Sequence, residues 1–143
     1  MVRYSSFCFV SIMLSAVFGF SGFAQAEARL NCTDTSNMNQ SEMTNCSYQD
    51  FGDADDELNK IWSKVKDYAK RGDDDLGEGE MTGAATLLKA QKSWLVFRDA
   101  QCELEGFAAR GGSLQPMLVA GCKAALTNER VKAFKVLLEE NGE

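Results

Sequence analysis

From Phe51 to Tyr68 the apolar residues Phe51, Ala54, Leu58, Ile61, Val65 and Tyr68 fall alternately three and four positions apart. That spacing is the seam of a helix, whose faces repeat every 3.6 residues; a strand, with its period of two, cannot put these six side chains on one side. The chain is therefore committed to a long helix packing against neighbours. It opens where Asn39 and Glu42 stand three apart as in a capping box, and it runs to about Lys70.

Two further helices follow from the punctuation of the chain. The stretch Arg71 to Glu80 carries three glycines and five acids, Asp73, Asp74, Asp75, Glu78 and Glu80, which reads as a solvated loop. A second helix is expected from Thr82 or Gly83 to Glu105. Gly106 and the pair Gly111-Gly112 bracket the next connection. Ser113 is the expected cap of a third helix, with Pro116 tolerated in its first turn and an end near Glu140. Its expected inner side is Leu118, Cys122, Ala125, Leu126, Ala133, Val136 and Leu137, with Glu129 near the middle. No strand-like alternation and no internal repeat intervene. The predicted fold class is all-α, an antiparallel bundle of three main helices running up, down and up. An extra short helix is expected near Thr35 or within residues 73–85.

The second helix contains the most unusual run, Ala90-Gln91-Lys92-Ser93-Trp94-Leu95-Val96-Phe97-Arg98-Asp99-Ala100-Gln101-Cys102. On a helical wheel Leu87, Leu88, Trp94, Leu95, Phe97 and Cys102 share one broad face, and Gln91 and Arg98 lie inside the same arc. A guanidinium in a core stripe needs paired charge and hydrogen bonds, or its burial costs several kcal/mol. Glu129 is one conceivable partner for Arg98.

Residues 1–26 read as a secretory signal: Arg3 supplies the positive start, Phe7 to Phe20 is apolar apart from small polar residues, and Ala24-Gln25-Ala26 is a small-x-small site. Cleavage after Ala26 would remove Cys8 and leave a single domain, residues 27–143, in the periplasm or secreted, without stable membrane insertion. Four cysteines remain: Cys32, Cys46, Cys102 and Cys122. An even number bound for an oxidising space implies two disulfides with three possible connectivities. Local pairing, Cys32 with Cys46 and Cys102 with Cys122, is preferred because each pair flanks one turn or helix start; Cys46 with Cys102 is the main competitor.

Composition restricts the chemistry. The sequence has 15 Lys and Arg against 21 Asp and Glu, with no histidine and a net charge of -6. Loss of Arg3 with the signal would make it -7. Such a surface repels nucleic acid and favours basic partners. Without histidine, Ser-His-Asp and Cys-His nucleophiles are impossible. The cysteines lack the close paired spacing of a zinc site, and the acidic loop does not match the ligand spacing of a calcium-binding hand. No cofactor, no metal and no catalytic residue is expected, and the chain does not read as an enzyme.

The cysteines interlock with local motifs: Asn39-Gln40-Ser41-Glu42-Met43-Thr44-Asn45-Cys46, then Asp56-Glu57-Leu58-Asn59, then Gln91, Trp94 and Phe97-Arg98-Asp99-Ala100 before Cys102. Gly111-Gly112-Ser113, Cys122, Leu126-Thr127 and Arg130 follow. From Cys32 to Leu138 this pattern resembles the LprI family of lysozyme-inhibitor-like proteins. The resemblance implies a small helical envelope protein and, in some members, inhibition of lysozyme. It implies that Gln91, Trp94, Arg98, Asp99 and Arg130 are a signature of architecture. The expected function is stoichiometric binding of a basic protein such as lysozyme, a muramidase that degrades peptidoglycan, through Asp73, Asp74, Asp75, Glu78 and Glu80. A structural or interaction module of the periplasm, with another envelope protein as its target, is the alternative. The oligomeric state is not specified by the sequence.

Overall fold

The computed structural model describes residues 29–142, so the expected signal segment lies outside the described residues. Three helices, α1 (Gln40–Lys70), α2 (Gly83–Gly106) and α3 (Gln115–Glu139), account for most of the chain, with 3₁₀ turns at Asp73–Asp75 and Phe107–Ala109. No strand occurs among the described residues. The fold is all-α, as the periodicity implies, and of the two places expected for an extra short helix it is the one within residues 73–85 that holds a 3₁₀ turn, at Asp73–Asp75.

At the start of α1 the capping box is complete. The Asn39 side-chain oxygen accepts from the Glu42 backbone N–H at 3.0 Å, and a Glu42 carboxylate oxygen accepts from the Asn39 N–H at 2.8 Å. These bonds satisfy donors that a helix N-terminus otherwise leaves unpaired. The expected seam is on the inner face: Ala54, Leu58, Ile61 and Val65 are buried, and Phe51 and Tyr68 are half-buried at its ends.

The core forms where this seam meets α3. Leu58, Ile61 and Val65 cluster with Val131, Phe134 and Leu138. Each such side chain, fully buried, contributes about 1.5–3 kcal/mol. The inner face of α3 is Ala120, Ala124, Thr127, Val131, Phe134 and Leu138, again three and four apart. This corrects the expected register, since Ala125, Ala133 and Val136 are exposed and Leu118, Leu126 and Leu137 are half-buried. The reason is that α3 carries apolar residues on more than one side, so several faces satisfy the same spacing.

Contacts fix the helix directions. Gln40 reaches Met117 and Glu57 reaches Lys135, so α1 and α3 run parallel. Gln91 reaches Arg130, Arg98 reaches Thr127 and Cys102 is bonded to Cys122, so α2 runs antiparallel to both. The disulfides are Cys32–Cys46 and Cys102–Cys122, with Cα–Cα separations of 5.7 and 5.4 Å. Both lie toward the end of the bundle where α1 begins and α2 ends.

Two glycines permit close approaches. A Cβ at Gly83 would overlap the Ala69 carbonyl oxygen, and one at Gly106 would come within 2.6 Å of a Val119 methyl. Each end of α2 is thus pressed against a neighbour. The start of α3 differs from expectation. Ser113 does not cap it; Leu114 occupies the flanking position with no side-chain cap. The Gly111 N–H donates to the Gln115 side-chain oxygen at 3.0 Å and the Gln115 N–H to the Gly112 carbonyl at 3.2 Å, so the glycine turn itself leads into the helix. Pro116 sits in the first turn.

Candidate functional site

Helix α2 turns two of its polar residues, Gln91 and Arg98, inward. Arg98 is only 7% exposed, whereas its neighbours Val96 and Phe97 are 71% and 54% exposed. The expected apolar arc is corrected accordingly: Leu88 and Phe97 face solvent, Leu87, Trp94 and Leu95 are half-buried, and only Cys102 of that set is buried. The inner strip of α2 is narrow because α2 joins the bundle mainly through α3.

Arg98 is satisfied from three helices. Its Nε donates to Asp99 Oδ1 at 3.0 Å, its Nη2 lies 3.0 Å from the same oxygen, and its Nη1 donates to Thr127 Oγ1 at 3.3 Å. Asp55 on α1 stands 3.8 Å from Nη1. Glu129 is not a partner; it pairs with Lys132 on the exposed side of α3. Thr127, which is fully buried, was legible in the sequence only as part of the Leu126-Thr127 motif and not as a partner of Arg98, and Asp55 was not singled out at all.

Around this centre runs a stack of rings and guanidinium groups. Phe51 and Trp94 lie on Arg98 at 5.1 and 5.2 Å, and Trp94 and Phe134 lie on Arg130 at 5.6 and 4.3 Å. Phe134 in turn meets Trp62 with centroids 6.0 Å apart. Each cation–ring contact is worth about 0.5–2 kcal/mol, the upper value when desolvated. The Gln91 side-chain oxygen accepts from Arg130 Nε at 3.2 Å, which completes the set. Gln91, Trp94, Arg98, Asp99 and Arg130 are therefore brought together along the inner side of α2.

Their electrostatics are those of a packed network. Burial alone would raise the Asp99 carboxyl, but hydrogen bonds from Arg98 and Lys123, with their charges, outweigh it and hold its pKa below the ordinary value. Burial lowers the pKa of the Arg130 guanidinium.

The acidic loop is elsewhere. Fifteen residues of α2 separate Gly83 from Arg98, on the order of 20 Å at the rise of a helix. Within the loop the acids divide. Asp73 is tied down, its two carboxylate oxygens accepting from the Gly83 N–H at 2.7 Å and the Ala84 N–H at 3.4 Å. It therefore acts with the Thr82 side chain, which accepts from the Ala85 N–H, to cap α2. Glu80 accepts from the Gly77 N–H at 3.1 Å. Asp74, Asp75 and Glu78 are exposed and make no ion pair or side-chain hydrogen bond among the described residues. Leu76 and Met81 are exposed beside them, at 37% and 61%.

On α1, Asp53 and Glu57 are paired, whereas Asp50, Asp56 and Asp67 are exposed and make no ion pair or side-chain hydrogen bond among the described residues. Arg29 binds Asp53 through two contacts of 2.8 and 2.6 Å, and Lys135 binds Glu57 at 2.9 Å. These hydrogen bonds chiefly hold both carboxyls below their ordinary pKa. Among the described residues, no group of three acid or cysteine side chains is placed to hold a metal ion, and no helix is long and apolar enough to cross a membrane.

An uncharacterized protein of Rhizobium meliloti (strain 1021) is 44% identical over 105 residues, covering 71% of this chain and 76% of the relative. No solved structure matches the chain. Residues 32–134, which include both disulfides and the whole cation–ring stack, match the family described as lysozyme inhibitor LprI, and the chain belongs to that family.

Proposed function

We propose that this protein is an extracytoplasmic inhibitor that binds a basic, lysozyme-type muramidase stoichiometrically through the loop after α1. The family supplies the target class. The observation that carries the loop assignment is its division of labour: Asp73 anchors the segment to α2, while Asp74, Asp75 and Glu78 keep their charges unpaired beside exposed Leu76 and Met81. Unpaired carboxylates steer a basic partner and need not be stripped from internal partners on docking. Apolar side chains among them supply area that is removed from water only in the complex.

Two disulfides favour an oxidising compartment. Periplasmic or secreted placement, with cleavage after Ala26, is part of this proposal, and so is the absence of a catalytic role. The signature residues Gln91, Trp94, Arg98, Asp99 and Arg130 hold the helices in register and do not touch the target.

The test is a titration of purified chain into a panel of basic lysozymes while cell-wall lysis is followed. Inhibition saturating at a fixed stoichiometry and weakening with added salt is expected. Asp74→Asn, Asp75→Asn and Glu78→Gln combined should slow association about tenfold or more, with folding unchanged. Unaltered lysis by every enzyme of the panel would sink the proposal, and inhibition indifferent to the triple variant would remove the loop from it.

A further inference from the structure

The outward face of α2 carries an apolar stripe along its C-terminal half, which neither the family nor the proposed inhibitory loop explains. Val96, Leu104 and Phe107 are 71%, 63% and 53% exposed, with Ser93 before them and Ala100 between them on the surface. Positions 93, 96, 100, 104 and 107 are three and four apart, the spacing of a second helical seam, with Phe97 and Leu88 flanking it. Small residues alternate with large ones, so another helix can come close. Isolated surface leucines are ordinary; a continuous stripe of this kind marks an interaction surface.

The two ends of the stripe are unlike and mutually complementary. At the N-terminal end Ala85, Leu88, Lys89, Lys92 and Ser93 line a shallow groove of about 370 Å³. At the C-terminal end Leu104 and Phe107 project, with Glu103 beside them. The Arg110 guanidinium rests 4.8 Å over the Phe107 ring, yet the ring remains half exposed. One end thus offers a groove edged by two cations, and the other offers two apolar side chains, Leu104 beside the anion Glu103 and Phe107 beneath the cation Arg110.

We propose that this face is the interface of a two-fold symmetric dimer in which the α2 helices of two copies pack antiparallel. A two-fold axis between Val96 and Ala100 sets Val96 of each copy against Ala100 of the other. The same register brings Leu104 and Phe107 of one copy to Lys92 and Lys89 of the other, where the groove lies, and Glu103 to the neighbourhood of Lys92. Only an antiparallel arrangement pairs unlike ends at both extremities, and a face that carries both halves of its own complement is what a symmetric dimer requires. The stripe from residue 85 to 107 is about 34 Å long, and at a helix's width it buries on the order of 1,000 Å² in total. That area sits at the lower limit of specific interfaces, so the dimer forms at micromolar concentrations or above.

Sedimentation of the oxidised chain from about 1 to 500 µM tests this. A monomer–dimer equilibrium is expected, and Leu104→Glu, at an exposed position that leaves the fold intact by circular dichroism, weakens it at least about tenfold. Lys92→Glu and Glu103→Lys should each weaken dimerisation and together restore it. A chain monomeric throughout the range would overturn the proposal and leave the stripe to a different protein. A dimer unaffected by Leu104→Glu would overturn it by placing the interface elsewhere. Single charge changes without effect, or without rescue in the double variant, would overturn the antiparallel register. Lysozyme inhibition by the Leu104→Glu monomer remains intact, so this outcome is independent of the loop reading.

Discussion

The contact between α1 and α3 and the contact made by α2 are built on opposite plans. Between α1 and α3 the buried side chains are apolar, with Leu58, Ile61, Val65, Val131, Phe134 and Leu138 in one cluster. Helix α2 instead puts Gln91 and Arg98 on the inside and leaves Val96, Phe97 and Leu104 in solvent. The first contact is strong and nearly indifferent to orientation, because burial of apolar area has no direction. The second is directional: Arg98 must meet Asp99 and Thr127 and lie between two rings at once. A polar contact of this type gives less stability per area but penalises every misalignment, since a displaced guanidinium is left buried and unpaired.

The sharpest way to break this comparison uses one residue type in both regions. Phe134→Ala should cost about 3–5 kcal/mol in denaturant unfolding, because the ring fills the core and supports both Trp62 and Arg130. Phe97→Ala, measured in dilute solution, should change stability by no more than about 0.5 kcal/mol. Equal costs would mean that α2 is as deeply packed as its neighbours.

Removing the covalent tie of α2 comes next. Replacing both Cys102 and Cys122 by serine should cost about 3 kcal/mol for a separation of 20 residues. Arg98→Ala is expected to cost about 2–3 kcal/mol by the same measurement. Its partner Asp99 keeps Lys123 and 44% side-chain exposure, so no fully buried charge is stranded. Arg98→Met, which retains the stem between Phe51 and Trp94, should recover part of that loss. If the two variants are equivalent, the hydrogen bonds contribute more than the stacking.

The smallest expected effect is the pH response of Asp99. Its carboxyl has a lower pKa in the folded chain than in the unfolded one, so its charge stabilises the fold above the ordinary carboxylate pKa. That contribution is lost as pH falls through the ordinary value toward the folded one. Asp99→Asn should flatten the acid limb of the stability profile by less than about 1 kcal/mol, because the pair is screened by solvent. A steeper acid limb in the variant would contradict the sign of the shift.

Legibility in the sequence followed the same division. Helix α1 could be read to its ends because its apolar residues are confined to one face and its capping box is local. The disulfides were legible for a similar reason, each joining residues that flank one turn or helix start. Helix α3 was recognisable as a helix, but its register was not, since Ala125, Ala133 and Val136 fit the period as well as Ala124, Val131 and Phe134 do. Arg98 and Gln91 were marked as buried polar groups, whereas the partners of Arg98 depended on tertiary placement: Glu129 lies two positions from Thr127 and faces outward. The loop acids were visible, but the capping role of Asp73 was not, because it requires the chain to double back across Gly83.

The placement of the two disulfides has a mechanical consequence. Cross-links gather where α1 begins and α2 meets α3, whereas the opposite end, with the loop, carries no disulfide among the described residues and is held by contacts such as Asp73 with Gly83 and Leu87 with the core. Thermal breathing should therefore begin at the loop end, and backbone amides of residues 76–90 should exchange with solvent before those around Cys46 and Cys122. The molecule resembles a pair of tongs riveted at one end, whose free jaws carry the acidic side chains and can adjust their gap without straining a covalent bond.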